Sequence, residues 1–223
     1  MIRLTKRAAP RILVQQAANW TAELLAAIAA GTKLSDARKR RYNDAEVKSA
    51  LLEETHGKCA YCESKLRHIT YGDIEHIVAK DVDPSRTYDW LNLTTACDVC
   101  NTRKSNQEGL IDPYTDDPEK IHFRFMGPMV TIVPGSEPAK LTLTVLKLNR
   151  PDLMEKRKER VEDLGRQLEE IVATKDDATR RILIKVLVES ETADNSEFAA
   201  CVRAYVRDKQ RDGAIAASSL RVL

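Results

Sequence analysis

Four stretches between residues 59 and 104 decide the fold: CAYC at 59–62, GDIEHIVAK at 72–80, DWLNL at 89–93 and CDVCNTRK at 97–104. The first and last are C-x-x-C knuckles separated by 34 residues. Each knuckle offers two thiolates on one tight turn, and two such turns complete a tetrahedron around a zinc ion. Cys59, Cys62, Cys97 and Cys100 are therefore read as a structural zinc site. A closed four-thiolate site has no open coordination position, so this metal would hold a fold and do no chemistry. The fifth cysteine, Cys201, lies in the helical pattern EFAACVRAYV and reads as a small buried hydrophobe. His56 and His68 flank the first knuckle but are surplus to four cysteines.

Between the knuckles, Ile74 to Val78 reads as a short strand bounded by Gly72 and Asp81. Strand alternation would put Asp73 and Glu75 on one face and His76 on the other. A turn at Asp83-Pro84 follows, and NTRKSN from Asn101 looks like a helix start. Taken singly, Glu75-His76 reads as a surface pair, Asn92 as a turn residue and Asn101 as a helix cap.

Their order relative to the knuckles changes that reading. A first C-x-x-C, a strand ending in acid-His-Ile, an Asn-Leu segment and a second C-x-x-C-Asn with a Lys three residues on resemble the HNH endonuclease family in its zinc-knuckled ββα-metal form. Glu75 stands where Asp is the commoner acid, which changes reach more than chemistry. The stretches MIRLTK, GKCAYCES, IDPYTDDPEKIHFRF and LTVLKLNRPDL are similar to the HNH nuclease subunit of Septu-type antiphage defence systems. That resemblance implies a bacterial defence nuclease with an ABC/SMC-like ATPase as its partner.

The resemblance also implies roles. Glu75 and Asn101 would hold a catalytic Mg2+ or another divalent ion, and His76 would be the general base. Asn92 would position and polarise that histidine from the facing loop. One carboxylate and one amide oxygen suit Mg2+, which keeps several waters and takes substrate phosphate oxygens. Asp73 stands either behind the ligands or as a bystander. Lys104, one helical turn from Asn101, is a candidate phosphate contact. No G-x-S-x-G, P-loop or G-x-G-x-x-G is present to support another enzyme class.

Composition and charge agree with a soluble globular chain, 43% hydrophobic and 31% charged over 223 residues, with a net charge of +2. A globally basic nucleic-acid binder is excluded, but the charge is segregated. Residues 1–43 carry 9 Lys+Arg against 2 acids, whereas residues 44–110 carry 8 against 12. The densest basic cluster is Arg38, Lys39, Arg40 and Arg41, a candidate grip on nucleic-acid phosphates. The uncharged stretches before and after Glu23 carry Gln15, Gln16 and Asn19. They predict neither a membrane span nor a signal-peptide core, which makes the cytoplasm the expected compartment.

The rest reads as mostly helical. Helices are expected over 10–30, 44–56, 151–173, 178–189 and 194–208, with a hairpin around Gly127-Pro128 and an ambiguous stretch at 141–148. Val161, Leu164, Leu168 and Ile171 form a seam that runs back through Met154 and a discordant Arg157. Such a seam packs a core or docks a partner or a second copy of the chain. Apolar residues on nearly every side of 178–189 predict a deeply buried helix. The expected architecture is α+β: a zinc-stabilised ββα-metal module at 57–108 in a mostly helical body. It would be flanked by a basic helical segment at 1–56 and a hairpin-and-helix region at 109–223, all in one folded unit. The expected function is metal-dependent hydrolysis of nucleic-acid phosphodiesters, DNA ahead of RNA. The alternatives are a non-catalytic zinc-dependent nucleic-acid-binding module and a scaffold that binds an ATPase.

Overall fold

The computed structural model describes residues 1–66 and 72–212; His68 lies outside them. The chain is α+β and divides after Asp116 into two compact units, so the helices before the first knuckle share a unit with the zinc segment. No described helix is long and apolar enough to cross a membrane.

The first unit spans residues 3–116. Helix α1 (Arg11–Ala29) starts directly after Pro10, whose fixed φ suits a helix entry. A short turn, α2 (Asp36–Lys39), is capped by Ser35, and α3 (Ala45–Glu54) by the Asp44 carboxylate, which accepts from the Glu46 N–H. Leu13 and Leu24 of α1 and Val47 and Leu51 of α3 share one core with Ile74, Trp90 and Leu93. Apolar packing thus holds the strands that carry the candidate site against both helices.

Strands β1 (Asp73–His76) and β2 (Leu93–Ala96) pair antiparallel, with Glu75 opposite Thr94 and His76 opposite Leu93. Helix α4 (Asp98–Lys104) follows β2 at once and completes a ββα unit. Two expectations are corrected here. The strand ends at His76 and not at Val78, because a side-chain amide takes over the backbone groups of Val78. The helix begins at Asp98, before Asn101. Cys97 caps it through its sulfur, and Asp98 places a negative charge at the positive end of the helix dipole.

The second unit comprises residues 117–212 with Met1 and Ile2. Strands β3 (Phe123–Met126) and β4 (Met129–Ile132) form the expected hairpin around Gly127-Pro128. The ambiguous stretch lies mostly in a helix, α5 (Glu137–Val145), capped by Ser136. Three further helices follow: α6 (Pro151–Val172), α7 (Asp177–Thr192) and α8 (Ala199–Arg211). Leu164, Leu168, Ile184, Val188, Val202 and Val206 form their common core.

The seam of α6 runs through Leu153, Arg157, Val161, Leu164 and Leu168, one position off the expected Met154. Arg157 belongs in it because its guanidinium donates to the Leu148 carbonyl at 2.8 Å and lies over the Phe125 and Phe198 rings. The expectation of a deeply buried α7 fails. Ile184 and Val188 are 5% and 1% exposed, but Ile182 and Val186 are 63% and 59% exposed. Helices α6 and α8 cover one face of α7, so only the stripe Ile184–Val188–Thr192 is enclosed.

One glycine fixes the approach to β1. Gly72 has φ +65°, and a Cβ there would come within 2.7 Å of the Leu66 side chain. Gly72→Ala is expected to lower unfolding free energy by about 2 kcal/mol, from the left-handed backbone alone or with that clash. Chemical denaturation measures it, and an unchanged midpoint would contradict this account of the turn.

Candidate active site and metal centre

The two knuckles meet. The ligand atoms of Cys59, Cys62, Cys97 and Cys100 all lie within 4.8 Å of one another, and all four residues are buried. Tetrahedral Zn–S legs of about 2.3 Å require sulfur–sulfur separations of roughly 3.8 Å. Cys62 and Cys97 stand 3.8 Å apart. Burial drives the Cys59 thiol up, while hydrogen bonds from Cys100 and the other cysteines hold Cys62 down. Such a cluster ionises fully only when a cation balances it. Soft donors in this geometry suit Zn2+. The Ala60 N–H donates to the Thr95 carbonyl at 2.9 Å, which ties the first knuckle to β2.

His76 and Glu75 close the end of β1, each 6% exposed. The His76 Nε2 lies 2.9 Å from the Thr87 carbonyl oxygen. A carbonyl only accepts, so Nε2 carries the proton and Nδ1 keeps its lone pair when the ring is neutral. Burial lowers the His76 pKa to about 4, opposed by the bond to Thr87. The ring is therefore uncharged at neutral pH. Tyr42 packs its ring edge-on at 4.6 Å between centroids, which restricts the imidazole.

Asn92 is fully buried and does not bond the imidazole. Its Oδ1 accepts from the Val78 N–H at 2.8 Å, and its Nδ2 donates to the Val78 and Arg86 carbonyls at 2.9 and 3.0 Å. An amide is the one side chain that offers the acceptor and two donors this requires. The expected positioning of His76 is thus indirect: Asn92 fixes the 86–87 segment, and the Thr87 carbonyl polarises the ring.

Lys104 is 1% exposed. Its Nζ bonds Glu75 Oε1 at 2.9 Å and the His76 carbonyl at 2.8 Å. It joins α4 to β1 and has almost no surface to offer the phosphate expected of it. Burial raises the Glu75 pKa, and Lys104 opposes the shift. Asn101 donates from Nδ2 to Asp73 Oδ2 at 3.0 Å, which leaves its Oδ1 for another partner. Asp73 is therefore no bystander; it orients Asn101.

Glu75, His76 and Asn101 line one cleft of about 190 Å³, together with Tyr42, Lys80 and Asn106. Oxygen donors from Glu75 and Asn101 beside open volume for water fit a hard divalent ion. The basic cluster at 38–41 divides. Arg38 and Arg41 both bond Glu23, at 2.6 and 2.5 Å, whereas Lys39 and Arg40 have no carboxylate partner among the described residues. Sequence reasoning missed Thr87, Tyr42 and Lys80. Thr87 acts through a carbonyl that every residue has, so no sequence signal marks it.

Residues 59–107 match the HNH endonuclease family. The chain is also similar to two curated proteins, each named Septu protein PtuB. That of Bacillus thuringiensis is 35% identical over 112 residues, covering 48% of this chain and 42% of the relative. That of Bacillus mycoides (strain KBAB4) is 26% identical over 185 residues, covering 67% of this chain and 62% of the relative. The chain thus spans less than two thirds of the length of either.

Cys97 serves the metal cluster and caps α4, so its loss should be felt twice. Cys97→Ser and Cys62→Ser are both expected to emerge without stoichiometric zinc and to lose cooperative melting, because metal binding of about 10 kcal/mol is folding energy in such modules. Metal analysis beside calorimetry checks this. Pure wild-type protein that melts cooperatively with no zinc would refute the four-cysteine assignment.

Proposed function

We propose that this chain, whose residues 59–107 are of HNH endonuclease type, hydrolyses nucleic-acid phosphodiester bonds with a divalent metal ion. The observation that carries the proposal is the His76–Thr87 bond beside Glu75 and Asn101 in one cleft. Mg2+ would be held by the Glu75 carboxylate and Asn101 Oδ1; when bound, it supplies charge relief on the phosphate and on the leaving oxygen. His76 takes the proton of the attacking water at Nδ1, and the resulting imidazolium is steadied by the Thr87 carbonyl at Nε2–H. Lys104 opposes the upward pull of burial on the Glu75 carboxyl and holds the His76 backbone still. Asp73 and Asn92 position the residues that touch metal and water.

The likeness to Septu proteins supports placing this nuclease in antiphage defence, beside an ABC/SMC-like ATPase. DNA is the expected substrate and the cytoplasm the expected compartment. A non-catalytic zinc module would share the cysteines but would have no use for a neutral, tautomer-fixed histidine in an open cleft.

Plasmid nicking with and without Mg2+ separates the two. His76→Ala is expected to lose roughly 100- to 10,000-fold in rate while keeping its zinc and a cooperative, if lowered, melting transition. Brief chelation should stop cleavage before zinc is lost, and added Mg2+ should restore it. Undiminished cleavage by a clean His76→Ala preparation would sink the assignment.

A further inference from the structure

A second cleft, of about 360 Å³, adjoins the first and shares Tyr42, Ile74, Lys80 and Asn101 with it. Its other walls bring in Arg40 and Lys48. Three cations therefore converge from three elements: Arg40 from the end of α2, Lys48 from α3 and Lys80 from the loop after β1. They face a single carboxylate, Asp73, whose Oδ2 is occupied by the Asn101 amide. Lys48 and Lys80 belong to a net-acidic stretch, with 12 acids against 8 bases over residues 44–110. Three cations around one cleft, with a single carboxylate already engaged by an amide, favour an anion there.

None of the three cations is paired with a carboxylate among the described residues. Arg40 is exposed, and its guanidinium has no hydrogen-bond partner among the described residues. Lys48 donates to the Gly72 carbonyl at 2.7 Å, a neutral acceptor that leaves its charge uncompensated. Lys80 donates to the Tyr42 hydroxyl at 3.2 Å. This last bond fixes Lys80 where the two clefts meet, because Tyr42 is itself buried against His76. By contrast, Arg38 and Arg41 share the Glu23 carboxylate and do not line the cleft. The Tyr88 hydroxyl donates to the Arg38 carbonyl at 2.8 Å and pins the end of α2, so Arg40 leaves a held backbone.

We propose that Arg40, Lys48 and Lys80 form a subsite for the backbone phosphate that flanks the scissile one. This rests on the nuclease reading and deepens it. The cleft offers charge and hydrogen-bond donors but no exposed aromatic platform for a base. It therefore grips a polynucleotide without reading its sequence. It also selects against small phosphodiesters, which have no second phosphate to place there.

The test replaces all three residues (Arg40→Gln, Lys48→Gln, Lys80→Gln) in the 223-residue chain. Binding is measured first, in a His76→Ala background without added divalent ions, on a fluorescein-labelled duplex DNA across a salt series. Losing one phosphate contact should lower the log–log salt slope by about 0.9, and affinity at low salt by at least about ten-fold. The Arg38→Gln, Arg41→Gln pair, which does not line the cleft, should leave the slope at its wild-type value. Zinc content and melting confirm that each variant is folded.

Cleavage is measured second, with His76 intact. The triple variant should raise KM on plasmid far more than KM on bis(p-nitrophenyl) phosphate, narrowing the preference for the polymer. An unchanged salt slope, or equal losses on both substrates, would overturn the subsite. If wild type cleaves neither substrate but the slope still falls as stated, the phosphate site stands and the catalytic reading falls.

Discussion

A single backbone carbonyl decides what His76 is able to do. Thr87 offers only an acceptor, so the imidazole nitrogen facing it must carry the proton and the other must carry the lone pair. Burial removes the competing charged form by drawing the pKa down to about 4. The nuclease unit keeps this arrangement rigid from two directions. Asn92 clasps Val78 and Arg86, which sets the loop that presents the carbonyl. Lys104 grips the His76 carbonyl and Glu75 from α4, which sets the strand that presents the ring.

The metal cluster works at longer range. Lys104 and Asn101 reach β1 only if α4 sits correctly, and α4 begins on a zinc ligand, Cys97. The knuckle at Cys59 and Cys62 bonds β2 through Ala60, so the four sulfurs tie helix and strands into one body. Burying an ammonium and a carboxylate is costly unless both are paired and hydrogen-bonded. Here the pair is satisfied by geometry that the cluster enforces. Charge then sorts itself around the cleft: oxygen donors at Glu75 and Asn101, cations at Arg40, Lys48 and Lys80.

Much of this was legible in the sequence, for definable reasons. Metal ligands and the residues beside them keep fixed spacing, so Cys59, Cys62, Cys97 and Cys100 announced their own meeting, and helical periodicity announced α1, α3 and α6. Other features depend on groups that leave no pattern. The Thr87 carbonyl is one; the pairing of Arg38 and Arg41 with Glu23 across 15 and 18 residues is another. Lys104 reads as a phosphate contact in the sequence because its spacing from Asn101 is visible while its burial is not. Helix α7 misled in the opposite sense: apolar residues on all sides imply burial only where neighbours cover every side, and α6 and α8 cover one.

The central claim is that His76 stands neutral at physiological pH with its proton on Nε2. Long-range proton–nitrogen correlation NMR on histidine-labelled protein observes that state directly. The account predicts an uncharged ring at pH 7, Nε2 protonated and Nδ1 bearing the lone pair. Because the pKa is depressed, the charged form should accumulate only as pH falls toward about 4, and competence as a base should persist above it. A ring protonated on Nδ1, or an imidazolium with an ordinary midpoint near 6.5, would contradict it.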